Sequence, residues 1–344
     1  MKFSVNINKK VLYRLALVVL LCPLLLGGWL AVYSLQPGPG PVAEDAIVII
    51  PPGSGLQQIS TILAEAGLIH EDVRFLLLAK YLGLSTKLPA GEFSLTLGKT
   101  PGEVLRQLAT ANAVRYAVII PEGLRIEEVA DIFADGAWCD RKTFIALAHD
   151  PDFIESLGIN AVPSLEGYLY PDTYFLTREQ MGAKFLITLQ VQRFNKVWSG
   201  LAVDPEFPLS RHEIVTLASI IEKETGAAEE RPVIAAVFIN RLKTGMRLQS
   251  DPTVIYGLAN FSGNLTRTNL KTEHPYNTYV IPALPVGPIC NPGQQAIEAV
   301  LRPAASDFVY FVSRNDGTHK FSRNLTEHNQ AVQQYQHRQK AAKN

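Results

Sequence analysis

The chain has 344 residues, enough for two or three compact units with sizeable cores. Its 32 Lys and Arg residues balance its 32 Asp and Glu residues, and no basic block favours a nucleic-acid partner. The three cysteines, Cys22, Cys139 and Cys290, are too few and too dispersed for a disulfide framework or a zinc cluster. We expect no metal and no cofactor, and a substrate that is not held by charge alone.

The N-terminal run from Val11 to Tyr33 is almost entirely apolar and is long enough to span a bilayer. The residues Ala31, Val32 and Tyr33 lack the small-residue pattern of a signal-peptide cleavage site, so a retained anchor is favoured over a cleaved signal. A lipoprotein interpretation through Cys22 is weaker, because bulky Leu21 precedes it. Basic residues cluster at Lys2, Lys9, Lys10 and Arg14.

By the positive-inside rule, these basic residues leave segment 1–10 in the cytoplasm. Segment 11–33 then forms a single-pass anchor in the inner (cytoplasmic) membrane, and the rest of the chain is periplasmic. The Pro/Gly segment 34–44 is predicted to be a stiff linker that holds the next domain off the membrane.

The first globular segment, 45–115, is predicted to have the order strand, helix, helix, strand, with strands near 46–50 and 90–95. Thr100 and Glu103 have the spacing of a capping box and predict a further helix. The sequence Val48–Pro51 recurs about 70 residues later as Val118–Pro121, which predicts a second small α/β unit over 116–160. Two such units suit the gripping of a substrate, although any strand-proline-helix unit would look similar.

A helix beginning at Ser210 carries the strongest signal for chemistry. Ser210 and Glu213 form a predicted capping box, and Ile214, Leu217, Ala218 and Ile221 make one apolar stripe. Helical phase places Glu224 at the edge of that stripe, Glu222 further round and Lys223 opposite. Glu224 is therefore the candidate proton donor, and the alternative is a solvated, charged helix end.

After Gly226 a second helix is predicted from Pro232 to Lys243. Residues 246–249 alternate like a short strand, and 250–252 read as a tight turn. The Tyr-Asn-Thr-Tyr cluster at 276–279 lies between prolines and suits a carbohydrate, because sugar faces stack on aromatic rings. A hairpin is predicted over 307–322, and 331–344 is a polar, helical tail.

The sequence contains no phosphate-binding loop, no nucleophile elbow and no helical pair of metal ligands. The remaining kind of chemistry is acid/base catalysis by a carboxylate. A glycosidase would pair Glu224 with a second carboxylate, and Glu166, Asp172, Glu222 and Asp251 are all open for that role. A single-acid route also exists, in which a hydroxyl of the substrate itself is the attacking group. We favour the single-acid route.

The sequence resembles the YceG/MltG-like endolytic murein transglycosylase family over nearly its whole length. The motifs that carry the resemblance are EGYLYPDT at 166–173, ASIIEKET at 218–225, VFINRL at 237–242, MRLQSDPTVIYG at 246–257 and YNTY at 276–279. Two small departures are Gly226, where a helix-favouring residue is common, and Ser250, where a threonine is common.

The resemblance implies cleavage of peptidoglycan glycan strands between N-acetylmuramic acid and N-acetylglucosamine, leaving a 1,6-anhydro-muramic end. It implies an α+β protein with a LysM-like module at 45–115, a catalytic domain at 161–330 and Glu224 as the acid/base. Nascent strands are the implied substrate, and penicillin-binding proteins and other wall-synthesis proteins are candidate partners. The expected substrate-binding residues are Glu166, Tyr170, Asp172, Asn240, Gln249, Asp251, Tyr276, Asn277 and Thr278.

Two alternatives stand beside this hypothesis. One is a non-catalytic scaffold whose α/β units bind the wall. The other is a folate-pathway lyase, a label that the family has sometimes carried. That reaction would require a lysine Schiff base to pyridoxal phosphate in the cytosol, where an exported chain is badly placed.

Overall fold

A computed structural model describes residues 9–258, 261 and 263–337. The fold is mixed α/β, and its described residues form two compact units. The first contains the residues up to Tyr116 together with Leu176–Glu179, and the second contains Ala117–Phe175 and the residues from Gln180 onward. The predicted cytoplasmic end lies almost wholly outside the described residues, as does the tail beyond His337.

The first unit has the predicted order strand, helix, helix, strand. Its antiparallel strands pair Val48 with Phe93, and both side chains enter a closed hydrophobic core. Thr100 and Glu103 form the predicted capping box at the start of the last helix. The elements are α1 Lys9–Leu35, β1 Asp45–Ile50, α2 Leu56–Glu65, α3 Arg74–Tyr81, β2 Gly91–Thr96 and α4 Pro101–Thr110.

Helix α1 contains the apolar run that the sequence singled out. Its window Leu17–Leu35 is long and apolar enough to cross a membrane, a property that signal sequences share. Tyr33, near the end of this helix, is only 1% exposed and belongs to the core of the first unit.

The Pro/Gly segment after α1 packs against the first unit, which differs from the predicted spacer. The amide of Gly38 donates to the carbonyl of Lys99 at 3.0 Å, and that of Gly40 donates to the carbonyl of Gly67 at 3.0 Å. A Cβ on Gly38 would lie 2.1 Å from the carbonyl oxygen of Leu68. The glycines are therefore needed for close backbone contact rather than for a free chain.

The second unit is mainly helical, with two short two-stranded sheets: β3 (Tyr116–Ile119) pairs with β4 (Thr173–Leu176), and β5 (Tyr310–Ser313) pairs with β6 (His319–Ser322). The second predicted α/β unit is thus closed by β4. Its elements are β3 Tyr116–Ile119, α5 Ile126–Asp135, α6 Arg141–Ala148, α7 Pro151–Ser156, β4 Thr173–Leu176, α8 Ala183–Gly200, α9 Arg211–Glu224, α10 Arg231–Lys243, α11 Asp251–Gly257, α12 Gln294–Leu301, β5 Tyr310–Ser313, β6 His319–Ser322 and α13 Leu325–Val332, which a π-helical turn, Gln333–His337, extends.

Helix α9 is the centre of the second unit and packs against α10, α11 and α12. The predicted capping box at Ser210 and Glu213 is present. The helix is buried on all sides from Ile214 to Ile221, rather than along one stripe. Thr216 and Ser219 can be buried because their hydroxyls donate to carbonyls of the same helix, at 2.7 Å each.

Two local predictions after α10 were wrong. Residues 246–249 form no strand, and 250–252 are the start of α11 rather than a tight turn. Pro252 in the first helical turn explains the second difference, because a proline there needs no hydrogen-bond partner. The predicted hairpin is confirmed, with Tyr310 paired to Ser322 and Ser313 to His319.

Candidate active site

Glu224 is the last residue of α9, and its carboxylate is bound by a serine from the loop between α10 and α11. The hydroxyl of Ser250 donates to Oε1 of Glu224 at 2.6 Å. Ser250 is 1% exposed and stands at the N-cap of α11. The end of one helix and the beginning of another therefore meet at this carboxylate.

The pKa of Glu224 is raised above its ordinary value, chiefly because burial disfavours the charged carboxylate. The hydrogen bond from Ser250 opposes this shift, whereas the negative charge of Asp251 adds to it. Electrostatic interactions with His319 and Arg241 lower the pKa. Burial thus keeps more of this acid protonated near neutral pH, as a proton donor requires.

Ser250 is held in place by Thr278. The amide of Ser250 donates to Oγ1 of Thr278 at 2.9 Å, and the amide of Gln249 donates to the carbonyl of Thr278 at 3.1 Å. Gln249 has a left-handed backbone with φ of 52°, which turns the chain into α11. Its side chain is exposed beside the carboxylate-binding serine.

Asp251 brings a second carboxylate to the same place. Its side chain is exposed, and Oδ1 accepts the hydroxyl of Tyr279 at 2.6 Å. Burial is the main cause that raises the pKa of Tyr279, so this phenol stays protonated and donates. Of the predicted residues, Glu224, Gln249, Asp251 and Thr278 are therefore gathered at one site.

Helix α10 fixes the segments on either side of that site through two neighbouring residues. Arg241 is 7% exposed and donates to the carbonyls of Leu248 and Val309, both at 2.6 Å. The amide group of Asn240 donates to the carbonyls of Ser306 and Phe308, at 2.9 and 3.0 Å. Asn240 thus holds the approach to β5 by backbone contacts.

The β5–β6 hairpin lies against the end of α9. Nδ1 of His319 is 2.7 Å from Glu230 Oε2, and its amide donates to the other oxygen of the same carboxylate at 3.0 Å. A Cβ on Gly226 would meet the carbonyl oxygen of Gly317 at 2.7 Å. The glycine at this position, unusual by the family resemblance, thus allows the turn of the hairpin to approach.

The site includes four residues that the sequence analysis did not select: Ser250, Arg241, Tyr279 and His319. The first three lie inside the quoted motifs, so the signal was present, but nothing in those motifs showed which side chains reach Glu224. His319 lies 95 positions after Glu224, and only the hairpin's packing brings it near.

Glu166 lies in a different buried cluster. Its carboxylate accepts the hydroxyl of Tyr256 at 3.1 Å, the side-chain amide of Asn291 at 3.3 Å and the backbone amide of Ile126 at 3.4 Å. It is 1% exposed, and burial raises its pKa from 4.5 to about 8. The ring of Tyr276 packs on that of Tyr256, with centroids 4.7 Å apart.

The remaining predicted binding residues make structural contacts of their own. Asp172 forms an ion pair with Arg193 at 2.6 Å. Tyr170 is 7% exposed, and its carbonyl accepts the hydroxyl of Tyr174 at 2.6 Å. Asn277 is 2% exposed and donates to the carbonyls of its own loop, including that of Thr272 at 2.7 Å.

Glu222 and Lys223 both contact other segments of the second unit, although the side chain of Lys223 is exposed. Oε1 of Glu222 pairs with Arg231 at 3.1 Å, and Oε2 accepts the amide of Gly293 at 3.1 Å. The ammonium group of Lys223 donates to the carbonyl of Gly123 at 3.3 Å. Among the described residues there is also no cluster of His, Cys, Asp and Glu suited to a metal ion.

The model of the YceG-like family matches residues 48–334. The chain belongs to the YceG-like family. It is similar to an endolytic murein transglycosylase of Bacillus subtilis, 32% identical over 302 residues that cover 83% of each chain. It is also 30% identical, over 318 residues, to an endolytic murein transglycosylase of Streptococcus pneumoniae, covering 83% of this chain and 57% of that one.

A crystal structure of a yceG-like protein from Listeria monocytogenes has a similar fold. The TM-score is 0.56 at 33% identity, over 84% of this chain and 99% of the other. The family predicted from the sequence motifs is confirmed by these matches.

Proposed function

We propose that this protein is a lytic murein transglycosylase that cleaves glycan strands of peptidoglycan internally, with Glu224 as the general acid and base. The family and the two named relatives support this reaction class. The observation that carries the assignment of Glu224 is its carboxylate, desolvated at a helix end and hydrogen-bonded to Ser250 at 2.6 Å.

In the first half of the reaction, protonated Glu224 donates its proton to the oxygen that links C1 of N-acetylmuramic acid to N-acetylglucosamine. The C1–O bond breaks and the bonding electrons leave with that oxygen. The muramic ring develops positive charge, and the new carboxylate of Glu224 is stabilised by the hydroxyl of Ser250.

In the second half, the 6-hydroxyl of the same muramic residue attacks C1 and closes the 1,6-anhydro ring. Glu224 accepts the proton of that hydroxyl and returns to its starting form, so no water is consumed. A raised pKa suits both halves, because the group must donate and then accept a proton near neutral pH. Asp251 raises the pKa of Glu224 through its negative charge and does not act as a second catalytic base.

The other predicted binding residues divide by exposure. Gln249 and Asp251 have exposed side chains beside Glu224 and are the better candidates for sugar contact. Thr278 and Asn240 orient the segments that carry the site. Buried Glu166 and Asn277 hold the walls of the unit.

The domain roles follow the same proposal. Helix α1 anchors the protein in the inner membrane with its N-terminus in the cytoplasm, which its apolar length supports. The first unit has its own closed core and is proposed as a LysM-like, glycan-binding module over 45–115. Segment 116–160 is the second small α/β unit, and segment 161–330 is proposed as the catalytic domain.

Cleavage close to the membrane would end the elongation of nascent peptidoglycan strands. The candidate partners are therefore penicillin-binding proteins and other wall-synthesis proteins, which act on the same strands.

The deciding experiment is Glu224→Gln, assayed by release of anhydro-muropeptides from purified sacculi. The amide cannot donate the proton, so the rate should fall by a factor on the order of 10²–10⁴. Glu222→Gln is the matched control on the same helix: loss of its pair with Arg231 should lower the melting temperature but leave anhydro products forming.

Two results would contradict the assignment. One is unchanged product from folded Glu224→Gln protein. The other is glycan binding by the wild type without any anhydro product, which would favour a non-catalytic scaffold.

A further inference from the structure

Helix α1 does not end before the first unit begins, because its last turns are part of that unit. Tyr33 is 1% exposed, Leu30 packs against the same core, and the hydroxyl of Tyr33 donates to the carbonyl of His70 at 3.1 Å. The helix runs without interruption to Leu35. The unit is thus joined to the helix through packed side chains rather than through a tether.

Arg74, the first residue of α3, fastens this junction. Its guanidinium lies 5.1 Å from the ring of Trp29 and 4.9 Å from that of Tyr33, and Nη1 donates to the carbonyl of Trp29 at 3.2 Å. Asp72 forms an ion pair with the same guanidinium at 2.6 Å. Through Arg74, helix α3 therefore binds α1 at the point where α1 leaves the unit.

The length of α1 then limits how far the unit can stand from a bilayer. Since Arg74 binds Trp29, and Leu30 and Tyr33 pack in the unit, the part of α1 free to cross the membrane runs from Val11 to Gly28. Those roughly 18 residues rise about 27 Å as a helix, close to the hydrocarbon thickness of about 30 Å. No residues remain to form a spacer, so the face of the unit around α1 must lie at the lipid headgroups.

The open face of α3 has the composition of a membrane-contacting surface. Val73, Leu77 and Tyr81 follow one another at every fourth position, and they are 60%, 41% and 81% exposed. Lys80 is exposed and falls on the same side by helical phase. Apolar side chains flanked by an aromatic ring and a lysine are typical of helices that lie in the membrane interface.

We propose that the first unit docks on the phospholipid surface through α3, with Val73, Leu77 and Tyr81 in the headgroup region and Lys80 at the lipid phosphates. This inference rests on the proposed anchoring of α1 and goes beyond it. In this arrangement the first unit, proposed above to bind glycan, lies against the bilayer instead of hanging from a flexible linker. A strand held there would be gripped close to the membrane.

The test uses nitroxide labels on the full-length chain in nanodiscs of phosphatidylethanolamine and phosphatidylglycerol. Three single-cysteine variants are made after Cys22, Cys139 and Cys290 are replaced by alanine. Leu77→Cys reports the docking face, Val19→Cys reports the middle of α1, and Gln58→Cys on exposed α2 is the matched control. Collision rates with oxygen, which concentrates in lipid, and with a water-soluble nickel chelate are compared.

We expect the oxygen-to-nickel ratio at position 77 to be several-fold higher than at position 58 and to approach that at position 19. A ratio at 77 equal to that at 58, with position 19 in lipid, would overturn docking and leave the anchor intact. A label at 77 shielded from both reagents would indicate a protein partner and would also overturn it. Water exposure at position 19 would remove the anchor itself, and the Glu224→Gln assay would be unaffected by any of these outcomes.

Discussion

Ser250 and Glu224 are 26 positions apart, yet the serine hydroxyl donates a 2.6 Å hydrogen bond to the glutamate carboxylate. The serine is buried at the N-cap of α11, and its own amide is bound by Thr278. Because α11 and Thr278 both hold Ser250 in place, the carboxylate of Glu224 is oriented before substrate arrives. The proposed role of Glu224, which is to donate a proton and then accept one, requires this pre-organisation.

Ser250→Ala should reduce kcat by about 10- to 100-fold, since a hydrogen bond to a charged group contributes about 1.5–3 kcal/mol. The hydroxyl favours the charged carboxylate, so its loss should raise the pKa of Glu224 further. The alkaline limb of the pH–rate profile should then move to higher pH. Ser250→Thr keeps the hydroxyl and should retain most activity. An alanine variant with wild-type rate and profile would show that the bond has no catalytic role.

Asp251→Asn separates the single-acid route from a two-carboxylate mechanism. Asparagine keeps an acceptor for Tyr279 but removes the negative charge that helps to raise the pKa of Glu224. The alkaline limb should move to lower pH, opposite to Ser250→Ala, and kcat should fall by less than about tenfold. A loss as deep as that of Glu224→Gln, measured on the same sacculi, would make Asp251 a second catalytic carboxylate.

Glu166 should make the folded protein less stable at alkaline pH. Its pKa is raised from 4.5 to about 8, so the folded state binds more protons than the unfolded state between these values. Stability from this group is complete below about pH 4.5 and is lost as pH rises to about 8.

Glu166→Gln removes this dependence. Its melting temperature should be close to that of the wild type at pH 5 and should exceed it at pH 8.5, where the wild type has a buried charge. The difference in free energy of unfolding should reach a few kcal/mol, which thermal melts across pH would measure. Parallel melting curves for both proteins at every pH would contradict a raised pKa.

Gly226→Ala should displace the β5–β6 hairpin and thereby change the surroundings of Glu224. The added Cβ would approach the carbonyl oxygen of Gly317 to 2.7 Å, a backbone atom that can yield only if the hairpin shifts. Because His319 is on that hairpin, we expect both a lower melting temperature and a lower kcat. Gly200→Ala is the control: no atom lies within 4 Å of its added Cβ, and alanine favours the helix there. Equal melting temperatures for the two variants would show that the hairpin is not held at Gly226.

Local sequence signals predicted much of the fold. The capping box at Ser210 and Glu213, the helix from Pro232 to Lys243 and the C-terminal hairpin depend on side chains a few residues apart, and all are confirmed. The tight turn at 250–252 was wrong, because serine, aspartate and proline serve equally at a turn and at the first turn of a helix. The short strand at 246–249 failed because a strand needs a partner, and alternation alone supplies none.

The sequence alone determined the family and the apolar helix α1, and it made Glu224 the candidate acid, since motifs and helical phase are properties of the chain itself. Only the tertiary structure decided which side chains surround Glu224. Its serine donor, the neighbouring Asp251 and the hairpin with His319 come from segments 26 to 95 positions away. Likewise, the packing of Tyr33 into the first unit, which leaves no spacer after α1, depends on contacts with His70 and Arg74. Desolvation and contact at such distances along the chain arise only when the core forms, and no local pattern encodes them.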